Sequence, residues 1–386
     1  MIRVALLEGF WEGLAELLDQ PVMFDAAVPI MPPRVSIADE FQIPNPGRDA
    51  VCPAITPYPW MLTQIIRHLD GTLVSDGHPD QLYNRLMAVT GAAFRLVWSP
   101  EWDGGATNLR HLSDDGLTPL RRAGDALGRA LRYLAPTDDP GRLVGAVRTA
   151  LSQGRPVIGF GIASPDEADL ITGYDERVDE VMGWSAFADE PPASPQLERD
   201  GRGTFCRKNW GGQCDGILLV GDEVDVPTTA MVVRDAFRTA VTVYNTRQTH
   251  HRGVARWTGI LAWSAWANQI GQDAVMASLS QWEVAQAFRA HKAAVLTTRE
   301  ARSAAVGFLA RAVTHVDDVL SLRTAIQHAV AVTHVMDEVH ALIPSVQEFA
   351  RPRARATVQP LLQEAARHDT SIAVLLESMA VARLNS

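Results

Sequence analysis

The sequence predicts an α+β chain. An N-terminal domain with an antiparallel sheet covers about residues 1–225, and an all-α helical bundle covers about 226–386. Three observations carry this. Residues 154–189 read as three short apolar strands joined by tight polar turns, and the GILLV run at 216–220 reads as another. From Thr228 onward Gly and Pro become rare, and long segments of helical periodicity are joined by short connections, the pattern of an antiparallel bundle. A chain of 386 residues also exceeds what one core usually serves, which favours two domains.

In chain order, residues 3–19 carry Val4, Leu7, Phe10, Trp11, Leu14 and Leu17 at helical spacing, with Glu8, Glu12 and Glu16 on the other side. Prolines crowd residues 20–59 and exclude a long helix or a central strand there. A helix is expected from near Pro59 to Asp70, with Met61, Leu62, Ile65, Ile66 and Leu69 buried and Gly71 as its stop. A second helix covers about 79–89, and Phe94, Leu96 and Trp98 then alternate as in a short strand. Helices follow over about 118–134 and 142–153. Strands are expected at 157–161, 170–174, 181–187 and 216–220, with a loop over 188–204. The helical part is divided into about 228–248, 256–270, 274–295, 298–314, 316–343 and a broken segment over 354–382.

The net charge of −10 gives no global basic field for nucleic acid or an anionic membrane. Three cysteines, Cys52, Cys206 and Cys214, are too few and too odd a set for a disulfide framework, and they point to a reducing compartment. Glutamates interrupt the apolar N-terminal run, no small-residue cleavage site follows it, and no apolar run is long enough to span a bilayer. A cytoplasmic protein without a membrane segment is the expectation.

The strings LMAVTGAAFRLVWSPEWDGG (86–105), GRPVIGFGI (154–162), LITGYDE (170–176), GILLVG (216–221), GILAWSAWANQI (259–270) and ARSAAVGFLARA (301–312) occur in that order. Together they resemble a bacterial family of peptidase-like proteins. Its N-terminal domain is similar to butirosin-biosynthesis protein H and to the cysteine peptidases that process bacteriocin leaders, and a helical C-terminal domain follows. The resemblance implies a papain-like fold for residues 1–225. It also implies three catalytic positions: a Cys at the N-terminus of the first core helix, a His at the start of a sheet strand, and an Asp or Asn on the next strand. A helix N-terminus lowers a thiol pKa, and a neighbouring imidazolium stabilises the thiolate, which then attacks an amide or carries an acyl group.

Set against these positions, Cys52 is the cysteine near that helix, but Pro53, Pro57 and Pro59 separate it from a helix starting at Pro59. The base position reads Ala168-Asp169-Leu170, and no histidine occurs between His111 and His250. His68, His78, His111 or the helical part would have to supply one. The third position reads Gly183-Trp184-Ser185, with Asp175 nearby in the turn. Cys52 and Asp175 are the catalytic candidates. Trp60, Trp98, Asp169, Trp184, Asn209 and Trp210 are the candidate ligand-binding residues around the cleft.

Other constellations have bland readings. Cys206 and Cys214 lie too far apart for a zinc knuckle. His334 and Glu338 have metal-compatible i,i+4 spacing, which a solvated helix also carries. Trp257, Trp263, Trp266 and Trp282 form either a core cluster or the wall of an apolar pocket. GRPVIGFGI lacks the G-x-G-x-x-G of a dinucleotide site. No cofactor and no metal is expected.

Three functions follow. The first is a peptidase-like protein without a standard triad that binds a small molecule or peptide in the cleft. The second is an active cysteine-dependent amide hydrolase or acyltransferase using Cys52. The third is a non-enzymatic protein that binds a partner, or a second copy as a homodimer, through its helices.

Overall fold

The computed structural model describes residues 40–42, 56–70, 79–102, 107–137, 139–163, 167–186, 197–199 and 204–381. Cys52, His78 and the helix expected over 3–19 lie outside them. The strands are β1 (Glu40–Gln42), β2 (Val97–Trp98), β3 (Arg129–Leu134), β4 (Val157–Phe160), β5 (Ala168–Asp175), β6 (Glu180–Ser185), β7 (Leu197–Arg199), β8 (Thr204–Lys208), β9 (Ile217–Glu223), β10 (Gln248–His251) and β11 (Val254–Thr258). The main sheet runs β3-β9-β4-β5-β6-β8-β7 and its pairs are antiparallel. β1 pairs with Gly173, Tyr174 and Asp175, continuing along the edge of β5 that β4 occupies further up.

Strand alternation builds the layers. In register, Ile158 lies opposite Leu170, and Val157 lies opposite Ile171. Ile158, Phe160, Ala168, Leu170, Trp184 and Leu218 face helix α1 (Pro57–Asp70) in one core. Val157, Ile171, Val181, Phe205 and Ile217 face helix α4 (Pro140–Ser152) in another. This is the expected consequence of a period of two with both faces covered. An irregularity of the β5–β6 pairing between Ile171 and Gly173 lets Ile171 and Tyr174, three residues apart, both reach the α4 face.

The remaining helices are α2 (Pro79–Thr90), α3 (Thr118–Leu127), α5 (Thr229–Asn245), α6 (Gly259–Ile270), α7 (Asp273–Ser278), α8 (Gln281–Ala312), α9 (Val319–Leu342), α10 (Val346–Ala350) and α11 (Pro352–Val381). Apolar residues of α5, α8, α9 and α11, among them Phe237, Leu309, Ile326 and Ile372, share one buried cluster with Trp60, Leu86, Phe94 and Leu170. No helix among the described residues is long and apolar enough to cross a membrane.

Several elements differ from expectation. The helix expected to reach residue 134 stops at Leu127, because Gly128 takes the left-handed conformation (φ 62°) and the chain continues as β3, paired with β9. Strands β7 and β8 occupy part of the expected 188–204 loop and the residues just after it. The region after Thr228 is not wholly helical: β10 and β11 form a hairpin, and Trp257 pairs with Trp98 of β2 to make a second sheet. The helix break expected near 296 lies instead at Ser280, where a capping box with Glu283 starts the 32-residue α8. Pro360 sits inside α11 without ending it. Trp263 (5.8 Å) and Trp98 (5.2 Å) both stack on Trp266. Trp282, expected with them, stands exposed at the start of α8.

Gly183 is required by close approach. A β-carbon there would collide with the Leu170 carbonyl oxygen and press on the Phe205 ring. Gly183→Ala is expected to cost roughly 2 kcal/mol or more, read as a lowered urea midpoint, since backbone cannot yield as a side chain end can. An unchanged midpoint would show that β5 and β6 separate easily.

Candidate functional site

Two prolines, Pro57 and Pro59, preset the first turn of α1, and neither needs the hydrogen bond that a helix start cannot provide. The residue before it, Thr56, is tied on both sides. Its hydroxyl donates to Glu300 Oε2 of α8 (2.6 Å) and accepts from Arg95 Nη2 (2.9 Å). Arg95 is fully buried, and its Nη1 donates to the Thr107 carbonyl (2.9 Å). One side chain thus pins both the entry to α1 and the segment beginning at Thr107.

These segments frame a narrow pocket. Its walls come from Pro57 and Tyr58 of α1, Phe160 ending β4, Glu167 and Ala168 at the start of β5, Leu120, and the run Thr107–Arg110. Asn108 accepts from the Arg110 backbone N–H (2.9 Å) and so sets the turn that turns Arg110 inward.

Tyr58 is 2% exposed, and its hydroxyl has no hydrogen-bond partner among the described residues. Burial pushes its pKa far above the usual phenol range, so it stays a neutral donor. Arg110 is 5% exposed. Its guanidinium lies 5.4 Å from the Tyr133 ring centroid and 5.1 Å from that of Phe160. Nη2 meets the Tyr133 hydroxyl at 3.3 Å, whereas Nε and Nη1 have no partner among the described residues. Each buried donor left unpaired costs about 1–3 kcal/mol, and more for a charged group. The pocket is therefore lined by residues with polar groups open to a further hydrogen-bond partner. At its rim, Glu167 accepts from the Thr107 hydroxyl. Behind it, Tyr133 donates to the Asp215 carbonyl, and Arg252 pairs with the Asp215 carboxylate (2.7 Å).

The sequence-derived candidates separate. Trp60 and Trp184 come together, ring centroids 4.5 Å apart, in the core beside α1. Asp169 does not join them. Ala168 faces the pocket, and the period of two sends Asp169 to the opposite sheet face. There it is fully buried and accepts from the backbone N–H groups of Ile162 (3.1 Å) and Ala163 (2.7 Å). It anchors the turn after β4. Trp210 is buried in the cluster on the α4 side, and Asn209 stands exposed in a left-handed turn (φ 51°) beside it. Trp98 belongs to a third cluster, with its indole N–H donating to Gln269 (2.7 Å). Asp175 closes the β5–β6 turn, accepting from the Arg177 backbone (2.9 Å) and pairing with its guanidinium (2.9 Å). That bonding holds its carboxyl below the usual range, the behaviour of a turn residue.

Among the described residues no histidine lines the pocket. His68, at the far end of α1, meets the Gly154 carbonyl (3.0 Å), and His111 faces His251 with ring centroids 5.6 Å apart. His334 and Glu338 are exposed, and no group of three His, Cys, Asp or Glu among the described residues is placed to hold a metal. Tyr58 and Arg110 escaped sequence reasoning. Tyr58 had one signal, its place between two prolines at a helix start; Arg110, in the string NLRHL, had none. Comparison with known proteins returns no matching family model and no matching curated protein.

Proposed function

We propose that the N-terminal part of this chain is a papain-like, peptidase-like scaffold without a standard Cys-His-Asp triad, and that it binds a small molecule or peptide in the cleft where α1 begins. One observation carries the reading. In the peptidases it resembles, the nucleophile stands at the start of the first core helix and the base at the start of a sheet strand. Here the start of α1 and the start of β5 meet at one pocket, and they contribute Tyr58 and Ala168 to it. A phenol held neutral and a methyl group offer neither a nucleophile at neutral pH nor a base. Unpaired buried donors at the same place favour recognition over turnover.

The test uses the full chain, with a thermal-shift and tryptophan-fluorescence screen of short peptides and small metabolites. Trp60 and Trp184, packed beside α1, supply the optical signal. Cys52→Ala should bind as the wild type does, and the wild-type Cys52 thiol should alkylate no faster than one in unfolded chain. Tyr58→Ala should weaken binding. Amide cleavage or acyl transfer by the wild type that disappears in Cys52→Ala would replace this reading with an active cysteine amidase or acyltransferase.

A further inference from the structure

Resting on the cleft reading above, we infer that the group this pocket takes is a carboxylate, the C-terminus of a peptide or the acid group of a small molecule, with Arg110 as its cation and the Tyr58 hydroxyl as a second donor.

The argument begins with charge. Arg110 is 95% withdrawn from solvent and faces aromatic rings rather than an acid, and its Nε and Nη1 have no partner among the described residues. The neighbouring guanidinium groups have terminal nitrogens engaged elsewhere, although Nε of Arg95 and of Arg207 is also unpaired among the described residues. Arg95 serves Thr56 and the Thr107 carbonyl, Arg207 serves the Ile162 carbonyl and Gln213, and Arg252 serves Asp215. Among the described residues that line the pocket, Arg110 supplies the cation, with both Nε and Nη1 unpaired, which matches a monoanion. Glu167 at the rim adds a negative charge that disfavours a dianion such as phosphate. The start of the 14-residue α1 adds the positive end of a helix dipole, and its first turn holds no acidic side chain of its own. Tyr58 brings a neutral O–H that a carboxylate oxygen accepts from. The narrowness of the pocket suits a terminal group, with the rest of the ligand outside.

Isothermal titration of the full chain separates the possibilities. The probes are acetate and acetyl-Ala-Ala with a free C-terminus, their amides (acetamide and acetyl-Ala-Ala-amide), and inorganic phosphate. The acids should bind at least about 30-fold tighter than the amides, the scale of a buried charge-assisted contact. Arg110→Gln should abolish that preference and Arg110→Lys should restore part of it. Tyr58→Phe should weaken the acids about 3–10-fold. Circular dichroism establishes which variants fold, and should Arg110→Gln fail, Arg110→Lys and Tyr58→Phe still decide. If acids and amides bind equally, or phosphate binds tighter than acetate, the carboxylate assignment falls while the cleft reading stands. If no probe of either class binds, both fall.

Discussion

Asp369→Ala should lower the stability of this protein by about 3–5 kcal/mol, measured by urea unfolding at neutral pH. Asp369 and Arg302 are 1% and 0% exposed, and Arg302 Nε meets Asp369 Oδ1 at 2.7 Å, with a second bond from Nη2 to Oδ2. The carboxylate also accepts from the Trp263 indole (2.8 Å) and the Tyr244 hydroxyl (3.4 Å). Arg302 Nη1 donates to the Ala93 (2.8 Å) and Arg95 (3.2 Å) carbonyls. Burial alone would lower the Arg302 pKa, but the Asp369 charge outweighs it and keeps the guanidinium protonated. Removing the carboxylate leaves a buried cation opposite nothing, which is far more costly than removing both charges. Arg302→Met combined with Asp369→Leu should therefore be less destabilised than Asp369→Ala alone. A loss below about 1 kcal/mol would mean that water enters when the pair is broken. The effect should also reach the pocket, because α8 carries both Arg302, which holds residues 93–95, and Glu300, which holds Thr56.

The second large effect is in acid. His291 is 1% exposed, and burial, aided by His340, pushes its pKa down to about 3. Its Nδ1 accepts the Trp266 indole N–H at 3.2 Å, so a proton on Nδ1 would meet another donor. The folded pKa lies below the unfolded value of about 6.5. The unfolded chain then binds more protons throughout the interval. The contribution to stability is complete above pH 6.5 and is lost as pH falls from there toward 3. Between pH 6.5 and 4 this amounts to about 3 kcal/mol, at about 1.4 kcal/mol per pH unit. His291→Leu should be less stable than wild type at pH 7, where Trp266 has lost its acceptor. The gap should close or reverse by pH 4, because the variant lacks this slope. His328, whose pKa is also lowered by burial and by His368, acts in the same direction and is common to both proteins. Parallel stability curves from pH 7 to 4 would refute the assignment.

Much of the scaffold could be read from the chain, for local reasons. Short apolar runs in GRPVIGFGI and LITGYD marked strands β4 and β5, and Pro59 marked the start of α1 to within a few residues, the helix beginning at Pro57. The string GAAFRL stood out, and its role is now physical. Gly91 takes φ 89° after α2, where a β-carbon would meet Val243, and Arg95 knits Thr56 to Thr107 from inside the core. Where local signals misled, a remote partner decided. β3 follows from pairing with β9, about ninety residues later, and β2 is completed only by β11.

The site follows the same division. By itself the sequence supplied Ala168-Asp169-Leu170 and Gly183-Trp184-Ser185 where the proposed peptidase-like scaffold would carry its base and orienting residues. It also determined that Trp60 belongs to the first core helix. The tertiary structure decided that Ala168 rather than Asp169 faces α1, since sheet register assigns neighbouring residues to opposite faces. It decided too that Trp98, Trp210 and Trp184 belong to three separate clusters. Above all it brought Arg110 and Tyr58 to one pocket from segments about fifty residues apart. A buried guanidinium is placed by the rings and carbonyls around it, and those come from distant parts of the chain with no periodicity that a linear reading detects.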